Sequence, residues 1–189
     1  MRNLIHICKR AVAVVLMLLG LSVPLLGQSG EPVDVDTLLE ELANPETSNW
    51  QAVERRIRAE WSKSGSAAMD LLLQRGEKAL EAQDFDAALQ HFTALTDHAP
   101  DFAEGWNGRA TALFNKEMFG PAMQDLRRTL ALNTQHFGAM TGLAVVLQSV
   151  GMEEQALEVW HMVQGMHPHR PEVQDAIEVL EKRVGGQTL

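Results

Sequence analysis

The chain has 189 residues, a net charge of −9 and one cysteine. That length holds one domain with a sizeable core. The acidic balance excludes attraction to nucleic acid or anionic membrane through long-range charge, and the single cysteine excludes an internal disulfide framework.

The chain opens with a basic head carrying Arg2, Lys9 and Arg10. An apolar run from Ala11 to Leu21 follows, then Pro24 and the small-residue stretch Gly27-Gln28-Ser29-Gly30. This order predicts a signal peptide over residues 1–29, with cleavage after Gly27 or Ser29. An uncleaved N-terminal anchor is the alternative, since an uncharged stretch of this length can just span a bilayer. Cys8 lies within the segment, so the mature chain has no thiol for a metal site or a nucleophile. Removing three of the 16 basic residues leaves 13 against 25 acidic ones, a net charge of −12.

Residues 31–65 predict a helix pair and a linker. Val35, Leu38, Leu39 and Leu42 form a short apolar stripe. Asn44-Pro45-Glu46 reads as the second helix start, and Trp50, Val53, Ile57 and Trp61 line one face after it. The stretch Lys63-Ser64-Gly65-Ser66 breaks the chain, and Ser66 is placed to cap the next helix. The pair is expected to cap the N-terminal end, with Trp50 and Trp61 packed on the first block that follows; a degenerate repeat over residues 35–61 is the alternative.

From 66 to 170 the sequence repeats with a period of 34, in blocks 69–102, 103–136 and 137–170. The eighth positions are Gly76, Ala110 and Ala144; the twentieth are Ala88, Ala122 and Ala156. The twenty-fourth are Phe92, Leu126 and Trp160, and Pro100 and Pro168 stand near the first and third block ends. Each block reads as two antiparallel helices whose small residues meet at the crossing, with the large residue one turn on. The turns within blocks fall at Gln83-Asp84, Glu117-Met118 and Gly151-Met152. This pattern resembles the tetratricopeptide repeat, through these positions and Trp106. Arg75 and Arg109 depart from it, standing where the family's leucine is kept only at Leu143. The resemblance implies an all-α superhelix, a solenoid of three helix-turn-helix repeats with flanking capping helices.

Residues 171–184 predict the C-terminal cap. Val173, Ala176, Ile177, Leu180 and Val184 share a face, Pro171 suits the first turn, and Gly185-Gly186 is expected to stop the helix.

Catalytic chemistry finds little support. Ser62, Ser64 and Ser66 lack a nucleophile-elbow context, and no Gly-rich phosphate loop is present. No enzyme and no cofactor are expected. One cluster has metal-binding residue types: His161, Met162, Met166, His167 and His169 suit copper by softness. Against this, Met162 and Met166 are expected to pack inward. His167 and His169 are expected to sit as cations at a helix end.

The resemblance also implies that the first helix of each block lines a concave groove. The groove residues would be Leu73 and Glu77; Glu104, Asn107, Thr111, Phe114 and Asn115; then Thr141 and Gln148. The Lys and Arg used by family members that grip a C-terminal carboxylate are missing. The expected partner is therefore a neutral or basic protein segment, with no nucleic acid and no membrane beyond an uncleaved anchor. By similarity to small exported tetratricopeptide proteins of Gram-negative bacteria, the expected role is a periplasmic adaptor. The alternatives are a self-associating envelope subunit, a homo-oligomer, and a metal-handling protein.

Overall fold

A computed structural model describes residues 34–187. The expected leader, residues 1–29, lies outside the described residues. Among the described residues the chain is all helical, without strands. The helices are α1 Val35–Ala43, α2 Trp50–Trp61, α3 Ala67–Glu81, α4 Phe85–His98, α5 Ala103–Asn115, α6 Phe119–Leu132, α7 Phe137–Ser149, α8 Glu153–Met166 and α9 Pro171–Gln187.

Helices α3 to α8 are the three helix pairs of the repeat. Each helix packs on the next in order, α3 also touches α5, and α5 also touches α7. The first helices of successive blocks therefore form one wall, the inner side of a superhelix. Within each block the first helix ends on a left-handed residue: Gln83 at φ 58°, Glu117 at φ 60° and Gly151 at φ 78°. The next N–H then reaches back to a carbonyl five residues earlier, at 2.9 Å in all three blocks (Asp84 to Ala79, Met118 to Leu113, Met152 to Leu147). Only the third block uses glycine there; the other two carry roughly 1–2 kcal/mol of local backbone cost.

The core follows the large residues at the twenty-fourth positions. Phe92, Leu126 and Trp160 are all buried, as are Ala88, Ala122 and Ala156. The atoms nearest the open side of Gly76 are those of the Phe92 ring: a Cβ on Gly76 would lie 2.6 Å from it. A Cβ on Gly108, at the sixth position of the second block, would lie 2.2 Å from the same ring. Phe92 is thus held between two glycines, one in its own block and one in the next. Leu126 repeats the arrangement against Gly142, whose Cβ would lie 3.0 Å away. In the third block Ala176 packs on the cluster containing Trp160. Counting on by 34 makes Ala176 the sixth residue of a fourth block, so α9 occupies the place of a first helix in phase with the array. It covers α8 with Val173, Ile177 and Leu180. It also runs through Gly185 and Gly186 to Gln187, against the expected stop, and neither glycine takes the left-handed φ that would end it.

The N-terminal pair departs from expectation. Asn44 does not start a helix; its Oδ1 accepts the Glu46 N–H at 3.0 Å, closing a turn, and α2 begins at Trp50. Ser66 stands at the N-cap of α3 but its side chain makes no cap bond. The linker is instead held by Asp70, whose carboxylate accepts from the Ser64 N–H at 2.9 Å. Trp50 and Trp61 do not pack on the first block. Trp61 stacks on His136 at 4.6 Å and sits 5.1 Å from Phe137, while Trp50 meets His167 and His169 at 5.3 and 5.8 Å. Helix α1 packs on α8. The hairpin therefore covers loops between blocks at the far end of the array.

The reason lies in the outward face of α3. The face that meets the preceding helix pair uses positions three, six, seven and ten of a block. These are Gly105, Gly108, Arg109 and Ala112 in α5, Ala139, Gly142, Leu143 and Val146 in α7, and Val173, Ala176, Ile177 and Leu180 in α9. In α3 they are Leu71, Gln74, Arg75 and Lys78, all exposed. The first block finishes the array with a largely polar face, which offers an apolar hairpin little to bury.

Candidate functional site

The inner wall is built by α3, α5 and α7. It carries a recess of about 160 Å³ between α5 and α7, lined by Asn107, Ala110, Thr111, Phe114, Leu126, Gly138, Gly142, Val145 and Val146. Gly138 and Gly142, one turn apart on α7, line the recess with backbone alone. Leu126 forms part of its floor where it packs beneath Gly142. Phe114 is held against Phe119 at 5.7 Å between ring centroids. The lining is apolar with Asn107 and Thr111 as its polar members, a chemistry suited to one small apolar side chain beside a main-chain amide.

The other expected groove residues are distributed unevenly. Thr111 is exposed, and its hydroxyl donates to the Asn107 carbonyl. Asn115 is also exposed and donates to the Thr111 carbonyl at 2.8 Å. Thr141 is half-buried, with its hydroxyl on the Phe137 carbonyl. The Gln148 side-chain carbonyl accepts from the Trp160 indole at 2.8 Å, which ties α7 to α8. Leu73 is not a groove residue: it is 4% exposed and packs in the core of the first block. It lies where α5 closes on α3, in a cluster with Ala112 and Phe102.

Acidic groups occupy the first half of the wall. Glu77 is raised above the usual carboxylate range, first by burial and then by the neighbouring charges of Glu104 and Glu81. A cation placed there would relieve this repulsion. Glu104 is held by a neighbour: His136 Nε2 lies 2.9 Å from its Oε1. His136 Nδ1 accepts the Ala139 N–H at 3.0 Å, so Nε2 carries the proton and donates to Glu104.

Two polar clusters tie the blocks to one another and to the hairpin, and neither is apparent from spacing. Arg109, the departure from leucine, makes a two-pronged pair with Asp125 at 2.7 and 2.8 Å and donates to Thr96 at 2.9 Å. It also lies over the Trp106 ring at 4.6 Å. The Trp106 indole donates to the Pro100 carbonyl at 2.9 Å. At the far end, Glu54 of α2 accepts from Arg58 at 2.7 Å, from Arg170 at 2.5 Å and from His167 at 3.0 Å. Burial pushes Glu54 upward, but His167, Arg58 and Arg170 outweigh it and hold the carboxyl at about 2.

The His/Met cluster does not converge on one point. His161 faces Glu181 at 3.8 Å and Met162 is 51% exposed, against the expected inward packing. Met166 is half-buried. His167 is buried, and that burial lowers its pKa despite the Glu54 bond, so it is not the expected cation at a helix end. His169 Nε2 lies 3.0 Å from the Asn44 carbonyl. Among the described residues no group of three or more His, Cys, Asp or Glu is placed to hold a metal ion.

No family model matches the chain. It is 33% identical over 135 residues to a TPR repeat-containing protein of Rhizobium etli, spanning 71% of this chain and 66% of that relative's length. The fold is similar to the TPR domain of Sgt2 from Aspergillus fumigatus, with a TM-score of 0.61 at 14% identity, covering 65% of this chain and 83% of that one. It is also similar to the first TPR of Spaghetti (RPAP3) bound to an HSP90 peptide, with a TM-score of 0.60 at 20% identity, covering 62% and 93%. MamA gives a TM-score of 0.60 at 19% identity, covering 71% and 78%. Three in-phase helix pairs, the shared fold and this relative lead to one assignment: the chain belongs to the tetratricopeptide repeat family.

Proposed function

We propose that this protein is a non-catalytic interaction module that holds a neutral or basic protein segment along the wall formed by α3, α5 and α7. The recess between α5 and α7 is the observation that carries this reading, because it offers an apolar socket flanked by Asn107 and Thr111. Glu77 and Glu81 supply the charge preference on one side of it. The solved TPR domain of Spaghetti (RPAP3) is described as bound to an HSP90 peptide, and that precedent supports peptide binding by this fold. The basic, apolar, small-residue order of residues 1–30 supports export, and we place the protein in the periplasm.

Capture of partners from an envelope extract tests the reading. Thr111→Arg puts a long cation at the recess mouth, on an exposed position that leaves the core untouched. Asn107→Ala removes the amide. Both variants should recover less partner than the parent protein; equal recovery by both removes the groove from the function.

A second reading concerns the array ends. The outward face of α3 presents Leu71 with Arg75 and Lys78, and α9 presents exposed Val179 with Asp175 and Glu178. Their opposite charges support head-to-tail stacking of copies as an envelope subunit. Light scattering over a concentration series tests it, since a constant monomer mass eliminates stacking.

A further inference from the structure

We propose that the α1–α2 hairpin is a releasable latch that holds the groove carboxylate Glu104 out of use. Three observations bring this together. First, besides the packing of α1 on α8, helix α2 is anchored at two points on the array. Its start, Trp50, and its middle, Glu54, sit on His167, His169 and Arg170 after α8. Its end, Trp61, lies on His136 and Phe137 at the start of α7, with Arg58 over the Phe137 ring at 5.2 Å.

Second, the Trp61 anchor is wired to the groove. His136 is 1% exposed, stacked beneath Trp61 at an interplanar angle of 25°, and bonded on both ring nitrogens. One bond caps α7 through Ala139; the other holds Glu104. Removing the Trp61 ring opens His136 to water. Water then competes for both of its bonds, and Glu104 becomes available to a cation in the groove.

Third, the hairpin is separable from the array. The repeat contacts are made by close-packed apolar groups such as Phe92 between two glycines. The α2 anchors are made by histidines, indoles and a carboxylate, and they leave the buried Nδ1 of His167 without a hydrogen-bond partner. A face with an unmet polar group is weaker for its area than a fully apolar one. The hairpin is also joined to α3 by residues 62–66, where Gly65 sits at φ 80°.

The consequence for binding rests on the groove reading, but the latch itself does not. Amide hydrogen exchange on the full chain tests it with no ligand present, so its failure is distinct from a failure of the groove to bind. The variants are Trp61→Ala and Glu54→Gln, one for each anchor. In Trp61→Ala, amides of residues 35–61 should exchange at least about tenfold faster, and Ala139 should lose protection with them. Phe92 and Leu95 should keep theirs in both variants. Two results overturn the proposal. If every helix loses protection together, the hairpin is one cooperative unit with the array. If the hairpin amides speed up while Ala139 does not, the contact does not reach His136 or Glu104.

Discussion

Gly108→Ala tests the packing rule on which the array depends. The added methyl would lie 2.2, 2.4 and 2.7 Å from Cε1, Cζ and Cδ1 of Phe92. Carbon atoms at rest stand about 3.5–4.0 Å apart, so the ring would have to move by more than about 1 Å. It has little room to do so, because the backbone of Gly76 lies so near the same ring that a Cβ there would be 2.6 Å from it, and Phe92 is fully buried. Overpacking of this kind costs about 1–3 kcal/mol, and this site belongs at the upper end. Alanine's better helix propensity returns about 1 kcal/mol. The net expectation is a loss of about 2 kcal/mol, or roughly 4–8 °C in Tm for a domain of this size. Gly120→Ala is the control: it is helical and a methyl there meets nothing within 4 Å, so it should be neutral or stabilising by up to about 1 kcal/mol. Phe92→Leu in the Gly108→Ala background should relieve the clash, giving a favourable coupling of about 1 kcal/mol in urea melts followed by circular dichroism. A Gly108→Ala protein as stable as the parent, or strictly additive single and double variants, would refute the claim that Phe92 is clamped between blocks.

Ala122→Leu should cost about 1–3 kcal/mol because Ala122 is fully buried, whereas Ala87→Leu, at a half-buried position, should cost less; thermal melts compare them directly. Arg109→Leu alone should cost about 3–5 kcal/mol by stranding Asp125, which is 5% exposed. The double variant Arg109→Leu/Asp125→Val copies Leu143 and Val159, the residues at the same positions in the third block, and should recover to within about 1 kcal/mol of the parent in denaturant melts. Glu54 is a carboxyl held at about 2 against an ordinary 4.5, so its contribution is complete above pH 4.5 and disappears as pH falls through 2. Glu54→Gln should therefore be less stable than the parent at pH 7, with the Tm difference shrinking below pH 4.5; a difference constant across that range would show that the ionised carboxylate is not what matters.

The array was legible in the sequence because its constraint is steric and periodic. Two helices can cross closely only where side chains are small, and a stacked array must repeat that at a fixed interval. The inter-block partner of the rule is readable in the sequence too. Gly108, Gly142 and Ala176 recur at the same spacing, and the first block breaks the series with Gln74. The groove was less legible. Register placed Leu73, Asn107 and Thr141 on equivalent positions, yet only Leu73 is enclosed, because α5 closes over it with Ala112 and Phe102. Register gives the direction of a side chain and says nothing of what covers it. Gly138 and Gly142 were the signal for the recess: two glycines one turn apart inside a helix cost about 1 kcal/mol each, which calls for a reason in packing or binding.

The hairpin shows where a single sequence stops being informative and where it does not. The contacts that seat it join Glu54 to His167 and Arg170, and Trp61 to His136, across 113, 116 and 75 residues of sequence. No periodicity connects them, so their pairing cannot be read from spacing. What can be read is where the hairpin does not belong. A helix pair burying Leu38, Leu42, Val53 and Ile57 needs an apolar partner. On the first block, the face that would receive it carries Gln74, Arg75 and Lys78 where every later block carries small or apolar residues at positions six and ten. That face is made for water, so the hairpin has to seek cover elsewhere. Helix α8, packed by α1, and the inter-block loops at His136 and His167 provide it. The polarity of one helix at the start of the array thus determines what lies over the loops at its end. The same substitution pattern that closes the solenoid releases its N-terminal helices to act on Glu104 through His136.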